Sequence, residues 1–213
     1  MTAFTDFGDV PLFRYGCILA DPPWCFENYS EKGEVKNPVA HYDCMEAGDL
    51  AGIHVGHIAA PDCALFLWAT APMLPEALAT MGAWGFKFKS AGAWIKRSKS
   101  GDKLAFGTGY IWRSAVEFLL VGVNGAPAWR TRSERNVIEA PIRQHSRKPD
   151  ETYRKIEAMV AGPRVELFAR VERDGWDAWG NQVGKFGADR DPGFHRDQRL
   201  GDWSDDEPDV PGG

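Results

Sequence analysis

The residues best suited to chemistry stand together as Asp21-Pro22-Pro23-Trp24. The prolines fix φ and remove two N–H donors, so the tetrapeptide is a rigid element offering a carboxylate and carbonyl oxygens without competing donors. Such an acceptor cluster suits a substrate amino group, and Trp24 adds a broad apolar plate for a planar base. The amino group of adenine or cytosine is a poor nucleophile because its lone pair is delocalised into the ring. Two acceptors that bind its two N–H groups favour a tetrahedral nitrogen and aim the lone pair at an electrophile, which is catalysis by positioning and electrostatics. A rigid turn with a capping Asp is the bland alternative.

An element must deliver these residues, and the apolar run 15–20 immediately before them has the length and character of a buried strand. Runs 63–68, 86–95, 116–123 and 165–169 read the same way. Two helices are expected between them. One has Thr70 as N-cap, Pro72 in the first turn and Gly82 as terminator. The other has Pro149 at its first position, Asp150 and Glu151 complementing the dipole, a face of Tyr153, Ile156 and Val160, and Gly162-Pro163 as its stop. Near-continuous apolar strands alternating with helices predict an α/β sheet covered on both faces. In such sheets ligands bind beyond the carboxyl ends of the strands, which is where Asp21 falls. Glu117, set among apolar strand residues, needs a cation if buried, with Arg113 the candidate partner of a site or of a purely structural pair.

Composition bounds the rest. The 213 residues are 44% hydrophobic and 26% charged, which excludes global disorder, and no run of 18 apolar residues suggests a membrane span. No secretory signal is read at the start of the sequence, so the expected address is the cytoplasm. Cys17, Cys25, Cys44 and Cys63 form no CxxC pair and are expected as reduced thiols. A zinc set of Cys44, His54, His57 and Cys63 has irregular spacing and is set aside, so no metal is expected. The net charge of −5 is unevenly placed: residues 1–186 hold 22 acidic and 22 basic groups, and residues 187–213 hold 8 acidic and 3 basic. The chain therefore divides into a neutral domain, 1–186, and an acidic tail, 187–213, whose Gly, Pro and Asp content predicts disorder. Two stretches of the domain are cationic. Residues 85–103 carry six Lys/Arg against one Asp, and residues 128–155 carry eight against four Asp/Glu, flanked by Trp84, Trp94, Trp112 and Trp129. That pattern suits a phosphate-binding surface.

Asp21-Pro22-Pro23-Trp24 resembles the signature of the S-adenosylmethionine-dependent adenine-N6 methyltransferases related to the catalytic subunit of the eukaryotic mRNA adenosine methyltransferase, small bacterial and phage members included. Further similar blocks follow in order. They are His41-Tyr42 with Met45, 65–68, Trp94-Ile95-Lys96, 107–110, 117–122, 145–151, Glu166-Leu167-Phe168-Ala169-Arg170, and Gly175-Trp176 with 179–182. The resemblance implies a Rossmann-like class I methyltransferase fold with permuted motif order and S-adenosyl-L-methionine as cofactor. It implies that Asp21 accepts from the target amino group close to the cofactor, that Pro22 offers its carbonyl, with Pro23 in the same element, and that Trp24 packs beside the base. Lys148, Arg170, Asn181 and Gln182 would bind the cofactor together with Asp21, the last two through ribose and adenine edges. Tyr42, Lys96 and Glu166 would join Trp24 on the substrate side. The position of Lys148 just before a helix N-terminus independently suits the cofactor carboxylate. A glycine-rich loop is lacking: Phe168-Ala169-Arg170 stands at the strand end where many methyltransferases have glycines. The expected partner is nucleic acid, DNA before RNA. Cytosine N4 is a more distant target, and a catalytically silent partner subunit is the alternative from another class.

Overall fold

The computed structural model describes residues 7–25, 44–107, 109, 111–143 and 147–183. Its elements are β1 (Tyr15–Ala20), α1 (Ala47–Ala51), β2 (Ala59–Ala69), α2 (Leu74–Ala83), β3 (Lys87–Arg97), β4 (Val116–Asn124), β5 (Val137–Pro141), α3 (Asp150–Met159), β6 (Arg164–Leu167) and β7 (Asp177–Trp179). The strands form a seven-stranded sheet in the order β5-β3-β4-β2-β1-β6-β7. Neighbours pair in parallel except around β4, which is antiparallel to both β2 and β3. β4 therefore runs against the other six, and the mostly parallel α/β sheet is that of a class I methyltransferase fold.

Period-two alternation explains why β1 reads as an unbroken apolar run. Ile18 and Ala20 face one core with Leu65, Leu67 and Leu120, whereas Cys17 and Leu19 face the other with Ala64, Phe66 and Trp68. Leu50 of α1 and Ala77 and Met81 of α2 close the first core. Tyr153 and Ile156 of α3 close the second. β1 sits between β2 and β6, so its carboxyl end opens beside that of β6 in the middle of the sheet.

Several expectations shift. Thr70 precedes a 3-10 turn (Ala71–Met73) without making a side-chain cap bond, and α2 begins only at Leu74 and runs one residue past Gly82. Pro149 is the extended N-cap rather than the first helical residue, and Val160 lies beyond the end of α3. β5 escapes an apolar-run search because its exposed and buried residues alternate, β7 because it has three residues. The expectation of four reduced thiols is overturned: Cys25 and Cys44 are joined in a disulfide. The Cys25 N–H donates to the Met45 carbonyl (3.2 Å) and the Met45 N–H to the Pro23 carbonyl (2.8 Å), and this bridge lays residue 44 against residue 25. Cys44 is thereby also removed from the zinc set. Cys17 and Cys63 are free and buried, and burial pushes the Cys63 thiol up to about 12. The tail 187–213 lies outside the described residues, as does Tyr42.

Candidate active site

Asp21 leaves the end of β1 beside the end of β6, its N–H directed at the Leu167 carbonyl (3.5 Å). Behind it the prolines turn the chain tightly: the Trp24 N–H donates to the Pro22 carbonyl (2.9 Å). The carbonyls of Pro22 and Pro23, expected bare, each hold one backbone N–H, because the loop folds back on itself and on Met45. Each keeps a second lone pair. Trp24, expected as an open plate, is only 7% exposed, and its indole N–H donates to the Trp68 carbonyl (3.0 Å). It forms a wall of the cavity in front of Asp21.

That cavity, about 690 Å³, runs from Asp21 past Trp68 and Lys96 to Gly107, Gly109 and residues 111–118, Glu117 among them, and is also lined by Lys148 and Arg170. Its size suits a nucleoside-sized ligand with room for a second. Four charged groups alternate along one wall. The Lys148 ammonium donates to both carboxylate oxygens of Asp21 (2.7 and 2.8 Å) and lies 3.3 Å from Glu117 Oε2. Lys96 donates to Glu117 Oε1 (2.5 Å). Glu117 thus pairs with Lys96 and Lys148, not with Arg113: β3 and β4 are neighbours, Trp94 is opposite Glu117, and Lys96 reaches Glu117 diagonally from the same face two residues on. Burial would raise the Glu117 carboxyl, but the Lys148 and Lys96 charges outweigh it and hold it below its ordinary value. Burial would likewise lower Lys148, but Asp21 and Glu117 outweigh that, so it stays protonated.

A smaller cavity of about 30 Å³, the room of roughly one water, is lined by Asp21, Lys148, Glu166, Phe168, Arg170 and Arg173. Glu166, on β6, accepts a hydrogen bond from the Tyr153 hydroxyl (2.8 Å). Burial pushes the Glu166 carboxyl up to about 7, opposed by the Tyr153 bond and reinforced by the Asp21 charge. Glu166 therefore lines the smaller cavity and Lys96 the larger one, with Asp21 in the wall of both. Asn181 and Gln182 follow β7 in a turn beside the end of β6 and line neither cavity.

Sequence reasoning missed Asp150, Tyr153, Arg173 and Trp68. Asp150 opens α3 and accepts from Arg143 (2.7 Å) and from Arg173, whose guanidinium also stacks 4.0 Å above the Tyr153 ring. Burial would raise Asp150, yet Arg143 and Arg173 together hold its carboxyl below the usual range. The segment after Arg170 is thus tied back to α3 through Arg173. The Trp68 ring lies 5.6 Å beneath the Lys148 ammonium, and its buried indole N–H has no hydrogen-bond partner among the described residues. Two cations (Lys148, Arg170) and two carboxyl groups (Asp21, Glu166) fit a zwitterionic cofactor with an amino-acid end. Lys148 and Arg170 would hold its carboxylate, and Asp21 its ammonium.

Comparison with known proteins bears on this arrangement. The chain is 31% identical over 196 residues to the type II methyltransferase M.MunI of Mycoplasma sp, covering 83% of this chain and 81% of that relative. It is 31% identical over 176 residues to a putative N(6)-adenosine-methyltransferase MT-A70-like protein of Medicago truncatula, covering 81% of this chain and 27% of that protein. The catalytic subunit METTL3 of the human N(6)-adenosine-methyltransferase matches at 28% over 177 residues, 81% of this chain and 29% of that one. The chain thus spans most of the mycoplasmal relative but under a third of the plant and human ones. The MT-A70 family model matches residues 15–182, from the first residue of β1 to the turn after β7. With a match over that span of the sheet, the chain belongs to the MT-A70 family of S-adenosyl-L-methionine-dependent methyltransferases.

Proposed function

We propose that the protein methylates the N6 amino group of adenine in DNA at a specific sequence. The observation that carries the reading is the Asp21 carboxylate, held at the end of β1 where the open cavity meets the Lys148–Arg170 side. When bound, the cofactor supplies an electrophilic methyl group on sulfur, which the amino nitrogen takes over while a thioether departs. The chain's own residues bind and orient. Asp21 and the second lone pair of the Pro22 carbonyl accept the two amino N–H bonds, which localises the nitrogen lone pair. A carboxylate has about four acceptor positions. Lys148 occupies two of those on Asp21, so an amino N–H can be accepted with Lys148 in place. No base is required before transfer, because the nitrogen sheds its proton after the new bond forms. A duplex substrate would have to flip its adenine out, at a cost of a few kcal/mol.

DNA is favoured because one relative matched over most of its length is named a type II methyltransferase rather than an adenosine methyltransferase. The N(6)-adenosine methyltransferases have most of their length outside the match. Adenosine in RNA is the second reading, supported by that same set of relatives. The cytoplasmic address belongs to the same proposal. The test is mass spectrometry of nucleosides digested separately from DNA and RNA of cells expressing wild type or Asp21→Asn. N6-methyldeoxyadenosine from wild type and none from the variant is expected. The modified base in RNA alone would move the assignment to RNA, and equal yields from both proteins would remove Asp21 from the reaction.

A further inference from the structure

Beyond the walls that hold the amino group, the open cavity has a rim of different character. After Arg97 the chain turns at residues 98–103, where the Ser98 N–H donates to the Lys103 carbonyl and the Gly101 N–H to the Ser98 carbonyl (both 2.8 Å). It returns along β3, the Ala105 N–H donating to the Lys96 carbonyl (2.8 Å), and makes a second projection closed by the Gly107 N–H and the Ser114 carbonyl (2.7 Å). The tip is tight: a Cβ on Gly109 would run into the Trp112 carbonyl oxygen, so the turn needs glycine there. A folded projection thus holds out Ile111 and Trp112, 89% and 85% exposed, with Phe106 at 67%. The Arg113 guanidinium lies 5.5 Å above the Phe106 ring. Ile111, Trp112 and Arg113 all line the cavity that ends at Asp21.

So large an exposed aromatic and aliphatic tip calls for an occupant, and the surrounding charge selects one. Lys99, Lys103 and Arg113 accompany it against the single acid Asp102, and none of the three is ion-paired among the described residues. Flat apolar surface beside unpaired cations complements a strand whose bases and phosphates alternate. A second copy meeting this patch about a two-fold axis would place the same cations against one another.

We propose that the projection formed by residues 98–107, 109 and 111–115 is a nucleic-acid-binding element of the enzyme. Trp112 stacks on a base next to the one delivered to Asp21, Ile111 packs beside it, and Arg113, Lys99 and Lys103 hold the flanking phosphates. This rests on the reading of the cavity as a nucleic-acid methylation site and adds the residues that grip the strand outside it.

The experiment measures binding of the full chain to labelled adenine-containing oligonucleotides, DNA and RNA of one sequence, over a salt series. Cofactor affinity by calorimetry and sedimentation are followed alongside. Trp112→Ala should weaken binding about 5- to 150-fold, the range for losing one base–aromatic stack, and Trp112→Phe should retain most of it. Lys99→Gln and Lys103→Gln should each reduce the slope of log affinity against log salt by about 0.7–0.9, whereas Trp112→Ala should leave the slope in place. Unchanged cofactor affinity in Trp112→Ala would show that the fold is intact. Wild-type affinity in Trp112→Ala overturns the proposal alone, and absence of binding by wild type to either polymer overturns the methylation reading with it. A wild-type dimer that Trp112→Ala dissociates also overturns it, by assigning the patch to a second copy.

Discussion

At the scale of single residues the site is a row of alternating charges, Asp21, Lys148, Glu117 and Lys96, in which Lys148 is shared by two carboxylates. Removing one member of a buried network leaves its partners uncompensated. Lys148→Met should therefore destabilise the protein by about 3–5 kcal/mol, measured by urea titration, and adding Glu117→Gln should recover part of the loss. A double variant as unstable as the sum of the two single ones would show that the pair is uncoupled. Glu166 gives a pH signature. Its folded carboxyl titrates near 7, above the 4.5 of an ordinary Glu, so the folded chain keeps a proton that the unfolded chain releases. The resulting penalty grows as pH rises from about 4.5 to about 7 and is complete above that, on the order of a few kcal/mol. Glu166→Gln abolishes it. The thermal midpoint of the variant should accordingly gain on wild type between pH 5 and pH 8, and parallel curves would contradict the buried, proton-holding state.

At the scale of elements the ends of β1, β6 and β7 decide the cofactor side. Phe168 leaves β6 with φ of +61°, the left-handed conformation that favours glycine. It is kept there by edge-on contact with Trp179 (5.6 Å between ring centres). The missing glycine motif is thus compensated by an aromatic lock, a cost of order 1–3 kcal/mol met by surrounding packing. Gly180 completes the junction: a Cβ on it would lie 2.9 Å from both the nitrogen and the carbonyl oxygen of Ala169. Gly180→Val should pry β7 from β6 and displace Asn181 and Gln182 with it. An overpacking cost of about 1–3 kcal/mol spent at the site predicts a fall in S-adenosylmethionine affinity of about tenfold, read by calorimetry. Unchanged affinity would detach residues 180–182 from the cofactor. The disulfide between Cys25 and Cys44 belongs to this scale too, since it ties the stretch after Trp24 to the approach to α1.

For the whole molecule, charge is the governing quantity. Residues 1–186 are neutral in sum, and the net −5 lies in 187–213. We propose that this tail competes with phosphates for the cationic surface. Truncation after residue 186 should then tighten non-specific nucleic-acid binding, most strongly at low salt, where screening is weakest. Equal binding by the full and truncated chains across the salt series would leave the tail without that role.

Which residues could do the chemistry was written in the sequence, because Asp21-Pro22-Pro23-Trp24 is rigid whatever surrounds it and the runs about it are apolar on both faces. The α/β sheet and the position of Asp21 at a strand end followed from those local properties. The pairings of the charged groups did not, since they join residues 127 apart, as in Lys148 with Asp21, and 21 apart, as in Lys96 with Glu117. Only strand order brings such residues to one wall. The same reason hid the Cys25–Cys44 bridge, turned Trp24 from an open plate into a wall, and gave the Pro22 and Pro23 carbonyls their partners. Local sequence fixes which groups are available, whereas burial and partners depend on neighbours that the chain acquires only on folding.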